Sequence, residues 1–218
     1  MAKKKYIELI KKGESLNVEF KQRFSTYEKI AKEMIAFANT RGGYLFLGVE
    51  DDGSIYGVAS EKSDIELLKE AAISYSEPPL DITLHHEVID GLDVIIAEIP
   101  ESKNKPHRLQ DYQNEFDLRT AQVYIRVNDK SVVASKEMIK LLQVQESGVE
   151  LKHYEVGKNE KKVFEYLDKN ETITVNQLSD YANLSNRRAS RTLIKLVRAN
   201  LLVIHVKDNG ENFFTYIG

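Results

Sequence analysis

The sequence contains no cysteine among its 218 residues. That excludes disulfides, thiolate metal sites and cysteine nucleophiles, and it is in keeping with a reducing, cytoplasmic setting. No stretch approaches the ~18 consecutive apolar residues that a membrane-spanning helix requires, so no membrane partner is expected. The start, Met1-Ala2-Lys3-Lys4-Lys5, is basic, but no apolar segment follows it, which argues against a secretory leader. There is no G-x-x-x-x-G-K-S/T run. Gly42-Gly43 lies between a helix end and a strand, the reverse of the P-loop order, and a helix C-cap accounts for it better. Internal repeats and low-complexity tracts are also lacking. No Ser/His/Asp set can be argued from spacing. His85 and His86 are adjacent on a strand, so their rings point to opposite faces and cannot share a metal. His107 falls in a polar stretch where it could adjoin a site, while His153 and His205 look incidental.

Hydrophobic content of 42% and charged content of 30% fit a globular chain with ample material for a core. The length allows one large domain or two smaller ones. Net charge is −3, but it is unevenly placed. Residues 158–218 balance at +3 and the first 157 at −6, while residues 1–23 are locally basic at +4. Between Leu184 and Lys207 there are six Lys/Arg residues and no Asp or Glu. With Ser185 as a helix N-cap, Arg187, Arg188, Arg191, Lys195 and Arg198 fall within about 100° of arc. Ala189, Leu193, Leu196 and Val197 fall on the opposite side, with Ile194 at the edge of the cationic side. Exposed helix faces normally mix acids with bases for i,i+4 pairing. A face of one sign points to contact with a phosphate backbone; the plainer alternative is a solvated surface helix.

Hydrophobic periodicity predicts a helix over 3–12 with Tyr6, Ile7 and Ile10 inward, and a strand over 16–20 with Leu16, Val18 and Phe20 on one face. Ser25-Thr26-Tyr27-Glu28 has capping-box spacing and opens a helix whose core stripe is Ile30, Met34, Ile35, Phe37 and Ala38. A central strand over 44–49 is followed by a turn at Asp51-Asp52-Gly53-Ser54 and a return over 55–58. A helix over 63–72, strands over 82–89 and 94–99 about Asp90-Gly91, a loop over 101–120, a strand over 123–127 and a helix over 135–143 complete this part. The order lacks a βαβ rhythm, so an α+β class is expected. The domains read as 1–146 and 159–218, joined by a polar linker at 147–158. The second is a helix over 160–169, a helix over 175–181 opened by the Thr174-Val175-Asn176-Gln177 capping box, a helix over 186–200, and two strands turned at Asp208-Asn209-Gly210. That order is a helix-turn-helix with a β-hairpin wing.

Two stretches of the first domain carry a family likeness. Glu14-Ser15-Leu16-Asn17-Val18-Glu19-Phe20-Lys21 precedes Ala36-Phe37-Ala38-Asn39-Thr40-Arg41-Gly42-Gly43, which runs into Tyr44-Leu45-Phe46-Leu47-Gly48-Val49-Glu50-Asp51-Asp52-Gly53. With Val123-Tyr124-Ile125-Arg126 and Ala134-Ser135 later, residues 13–145 resemble the Schlafen-type AlbA-like domain of bacterial regulators and animal Schlafen proteins. Many relatives carry Gly where this chain has Asn128; Asn tolerates the left-handed backbone. The resemblance implies a mixed-sheet domain followed by a winged helix-turn-helix, and a DNA-binding transcriptional regulator.

In some animal Schlafens the resemblance also implies an RNA endonuclease with a Glu/Glu/Asp set, matched here by Glu14, Glu19 and Asp51. Convergent carboxylates suit hard Mg²⁺ or Mn²⁺, which would polarise a phosphate and activate water. Lys21 shares the Glu19 face and could neutralise developing charge. The plainer reading gives Glu19 and Lys21 an exposed strand pair and Asp51 a turn. Three functions therefore compete. One is a homodimeric regulator binding DNA, in preference to RNA, through Arg187, Arg188, Arg191, Lys195 and Arg198, not itself an enzyme. The second is a metal-dependent RNase and the third a protein-interaction module.

Overall fold

The computed structural model describes residues 2–110, 117, 121–147 and 156–217, with the side chains of residue 2 and residues 144–147 excepted. His153, much of the linker at 147–158 and part of the loop at 101–120 lie outside the described residues. Packing divides the chain into two compact units, Met1–Ala134 and Ser135–Gly218.

The first unit is built on a four-stranded sheet ordered β1-β2-β5-β4. Helix α1 (Ala2–Lys12) precedes β1 (Val18–Lys21); α2 (Tyr27–Asn39) leads to β2 (Gly43–Leu47). α3 (Glu61–Ser74) and the short β3 (Ser76–Glu77) come before the hairpin β4 (Thr83–Ile89) and β5 (Leu92–Ile99). β6 (Arg108–Leu109) pairs with β3, and β7 (Tyr124–Val127) pairs with β8 (Lys130–Val133). β1 and β2 are parallel, Val18 opposite Tyr44, whereas β2–β5 and β5–β4 are antiparallel. The sheet is therefore mixed, as expected. One β-α-β unit does exist, β1-α2-β2, contrary to the absence of that rhythm in the sequence reading: α2 supplies the crossover that a parallel pair needs.

Both faces of the sheet are sealed. Tyr6 and Ile10 of α1 pack with Phe20, Phe46, Val94 and Ile96 on one side. Ile30, Met34, Phe37 and Leu68 of α2 and α3 pack with Leu45, Leu47, Ile95 and Ala97 on the other. The predicted α2 stripe is fully buried, but so are Ala31, Glu33, Ala36 and Asn39. The β7–β8 hairpin also packs against α2, which is why α2 is buried on more than one face. The N-cap is Thr26, one residue later than the capping-box spacing placed it: its hydroxyl accepts from Lys29 N at 3.3 Å. The return over 55–58 is a single bridge, Val49 to Ile55, rather than a strand.

The run Asn39-Thr40-Arg41-Gly42-Gly43 works as a structural knot. Asn39 Nδ2 donates to the carbonyls of His107 and Tyr124, both at 2.9 Å, and its Oδ1 accepts from His107 N at 2.8 Å. Thr40 Oγ1 accepts from Arg126 N at 2.9 Å. Gly42 has φ +71°, and a Cβ there would lie 2.6 Å from the Ile99 carbonyl; one on Gly43 would strike the Phe37 ring at 2.4 Å. Neither position accepts a side chain.

The second unit begins with α4 (Lys136–Ser147), followed by α5 (Lys158–Leu167), α6 (Val175–Ala182), α7 (Asn186–Arg198) and the antiparallel pair β9 (Leu202–Val206) and β10 (Asn212–Tyr216). Sequence reasoning placed α4 in the first domain. It falls in the second unit, where Ser190 Oγ donates to Glu137 at 2.6 Å and Asn212 donates to Ser135 Oγ. Thr174 forms the predicted reciprocal capping box with Gln177. Val163, Leu178, Leu193, Leu196, Leu202 and Phe214 make the core, with Ile173 bridged to Phe214.

Candidate functional site

α7 is positioned by its N-terminal end and by its packed face. α6 terminates at Asn183 in a left-handed conformation, φ 51°, which turns the chain sharply. Ser185 then caps α7. Ala189, Leu193 and Leu196 face the core at 0% exposure, leaving Arg187, Arg188, Arg191 and Lys195 exposed. None of these four has an ion-pair partner among the described residues, although Arg188 contributes its carbonyl to Thr192. Arg198 differs from the other four: it is half-buried, and its Nε is buried without a hydrogen-bond partner among the described residues. Ile194, expected at the edge of the cationic side, is buried, and so is Ser190. α4 packs on α7 and engages Ser190, narrowing the cationic face on that edge. In the hairpin turn, Lys207 pairs with Glu211 at 3.5 Å, so its charge is partly balanced locally.

The carboxylates of the first unit have a different environment. Glu14 is half-buried and its Oε1 accepts from Phe20 N at 2.9 Å. Burial raises its pKa, opposed by that hydrogen bond, while the nearby Glu19 and Asp51 charges raise it further and Lys21 lowers it. The structure thus brings Glu14, Glu19, Lys21 and Asp51 into one electrostatic neighbourhood. Asp51 is exposed at its turn. Glu19 is buried, its Oε2 accepting from Arg126 Nη1 at 2.8 Å and its Oε1 from Lys21 Nζ. Lys21 also donates to the Phe20 carbonyl at 3.0 Å, so its charge is directed inward rather than presented to a ligand.

Sequence reasoning missed the partner that organises this site. Arg126, in the quoted Val-Tyr-Ile-Arg run, has a fully buried side chain. It also reaches Glu33 at 3.2 Å, Ser131 at 3.2 Å and the Ser15 carbonyl at 2.8 Å, and stacks over Phe37 at 4.7 Å. Buried guanidinium and buried carboxylates compensate each other's lost hydration. Among the described residues no three His, Cys, Asp or Glu side chains converge closely enough to hold a metal ion. Both Glu19 oxygens are already occupied by cations, and one Glu14 oxygen by main chain. This donor set, as arranged, does not fit Mg²⁺ or Mn²⁺.

The Glu14 environment has a measurable consequence. Its folded pKa lies above its unfolded value, so its contribution to stability is fully present below the unfolded pKa and is lost as pH rises through the folded one. Glu14→Gln retains an acceptor for Phe20 N and removes the charge. It is expected to raise Tm at about pH 7, with the gain closing as pH falls towards about 4. A gain independent of pH, or none at neutrality, would contradict this account of Glu14.

His85 and His86 do face opposite ways: His85 lies 3.2 Å from Glu98, and His86 2.8 Å from Asp93. His107 is buried between the Pro78 carbonyl at 2.7 Å and Ser102 Oγ at 2.6 Å. Burial lowers its pKa, so it serves as a neutral structural ring. His205 stacks on Phe213 in the hairpin.

Residues 14–135 match the family model described as Schlafen, AlbA_2. The chain belongs to this family. The Schlafen AlbA_2 match ends within a residue of the boundary between the two units. Among solved structures, the DIP2311 protein of Corynebacterium diphtheriae is similar at 17% identity and TM-score 0.47 over 92% of this chain. The chain spans only 34% of that protein's length. The N-terminal domain of a RecG-related protein from Nitrosomonas europaea is similar at 19% identity and TM-score 0.44, covering 69% of this chain and 96% of that one. No helix among the described residues is long and apolar enough to cross a membrane.

Proposed function

We propose that this Schlafen AlbA_2 protein is a DNA-binding transcriptional regulator. In this reading α5, α6 and α7 with the β9–β10 hairpin act as a winged helix-turn-helix, and α7 enters the major groove. One observation carries the reading: Arg187, Arg188, Arg191 and Lys195 share an exposed face with no acidic partner among the described residues. Solvated helix faces gain by interspersing acids, whereas a phosphate backbone rewards their omission. Arg187, Arg188 and Arg191, on the first two turns, would lie nearest the bases and the phosphates that flank them, as recognition helices use their N-terminal residues. Lys195 would hold the backbone. Arg198 would contribute less, being half-buried. The AlbA_2 unit would supply dimerisation, since helix-turn-helix regulators read paired half-sites.

The test is a fluorescence-anisotropy titration of the full chain with mixed-sequence duplex DNA and with single-stranded RNA. Duplex binding that outcompetes RNA supports the reading; no binding to either at low salt overturns it. Metal-dependent RNA cleavage is disfavoured by the cation pairs that occupy Glu19. Incubation with transfer RNA and Mn²⁺ is expected to leave the RNA intact. Mn²⁺-dependent cleavage that disappears in Glu19→Gln would show instead that the cluster reopens into a nuclease centre.

A further inference from the structure

The mixed sheet of the AlbA_2 unit ends in β4, which has a strand neighbour on one side only among the described residues. Which of its main-chain groups face outward follows from the turn. Asp90 and Gly91 both have positive φ, 52° and 81°, and join Ile89 directly to Leu92. In such a two-residue hairpin the flanking pair is hydrogen-bonded, and pairs alternate from there. Ile89, Glu87, His85 and Thr83 therefore bond to β5. Leu84, His86 and Val88 direct their N–H and C=O groups away from it. The Val58 N–H donates to the Asp93 carbonyl at 2.9 Å, as expected if Asp93, opposite Val88, sits at a non-bonded pair.

Exposed edges are normally blunted by proline, bulges or inward-pointing charges. β4 is seven residues long, Thr83-Leu84-His85-His86-Glu87-Val88-Ile89, without proline or glycine. Val88 is 45% exposed, an apolar side chain left open on the rim. The strand is also complementary to itself. In an antiparallel pairing of two copies centred on His86, the three outward-facing residues pair as Leu84 with Val88, His86 with His86 and Val88 with Leu84. His85 then lies opposite Glu87 on both sides of the axis.

The faces agree as well. His85 stands beside Tyr6 on the α1 side of the sheet, and Ile89 packs on that side too. Leu84 packs on the α2–α3 side. Each cross-strand pair thus joins residues of one face, one apolar and one of imidazole with carboxylate, the kinds of pair that stabilise adjacent strands. At the axis each His86 ring has Asp93 at 2.8 Å and Glu61 at 3.6 Å from its own copy.

We propose that β4 is the homodimer interface: two copies join edge to edge at His86, making one continuous eight-stranded sheet. This deepens the dimeric part of the function proposed above by naming its surface, and it stands or falls without reference to DNA.

The absence of native cysteine gives a register-specific test. Directly opposed bonded residues have Cα atoms about 5.5 Å apart, within disulfide range. His86→Cys, oxidised by copper–phenanthroline, is therefore expected to give a covalent dimer on non-reducing gels. Val88→Cys, displaced from its own copy by roughly 13 Å along the strands, should give no covalent dimer on the same gels. As a second measurement, Val88→Pro removes only an outward N–H, which an edge strand tolerates. It should convert dimer to monomer by analytical ultracentrifugation with the far-UV spectrum retained, and Val88→Lys should do the same if the proline variant does not fold. A monomeric parent chain, equal cross-linking at 86 and 88, or a dimer unaffected by either Val88 variant would overturn the proposal. Loss of the dimer with retained, weaker DNA binding would leave the regulator reading standing. Loss of DNA binding by α7 variants that remain dimeric would leave the interface standing.

Discussion

Arg126→Met is expected to destabilise the AlbA_2 unit by about 3–5 kcal/mol, the usual cost of removing one partner from a buried ion pair. The guanidinium is fully enclosed, and the two carboxylates it bridges, Glu19 and Glu33, are 7% and 8% exposed. Methionine fills much of the volume over Phe37 but leaves Glu33 with Lys32 at 3.3 Å as its nearest cation and Glu19 with Lys21 alone. Both carboxylates would then be buried with too little compensating charge. Urea denaturation followed by intrinsic tyrosine fluorescence measures this directly. The triple variant with Glu19→Gln and Glu33→Gln should recover most of the loss, because it is the uncompensated charge that is costly. If Arg126→Met alone is neutral, the network does not hold the β7–β8 hairpin to α2 and β1.

The second large effect concerns α7. Replacing Arg187, Arg188 and Arg191 by alanine should leave the unit folded, since all three are exposed and α7 docks through Ala189, Leu193 and Leu196. Alanine also has the higher helix propensity. Duplex affinity should nevertheless fall at least about 10²-fold at low salt, because three of the four exposed cations available to release counterions are gone. Arg198 stays in place, because its half-buried position makes its removal as much a packing change as a charge change.

The helices α5, α6 and α7 and the β9–β10 hairpin were largely legible in sequence. The Thr174 capping box, the Ser185 cap and the α7 periodicity are local signals, and each fixes its helix within a few residues. The Asp90-Gly91 and Asn128 turns were legible for the same reason, as a left-handed residue announces itself. What escaped was non-local. β8 is four residues, two exposed and two half-buried, with no hydrophobic run to mark them. The parallel β1–β2 pairing depends on where α2 returns the chain. Glu19 and Arg126 are 107 residues apart, and nothing in a strand alternation shows that the polar face will be buried by another hairpin. Glu19 and Lys21 therefore read as an exposed pair or a metal site, whereas they form one end of an enclosed ionic network. A helical wheel likewise shows a face but not its neighbours: Ile194, placed at the edge of the cationic side, is buried, and Ser190 on the same helix is engaged by α4.

The salt dependence of duplex binding is the most direct test of the claim that the α7 face grips a phosphate backbone. Four exposed cations per protomer predict a slope of log Kobs against log salt of about −3.6 for each protomer engaged, falling to about −0.9 in the Arg187→Ala/Arg188→Ala/Arg191→Ala variant. A parent slope near zero, or the same steep slope in parent and variant, would place the interaction elsewhere and contradict the account.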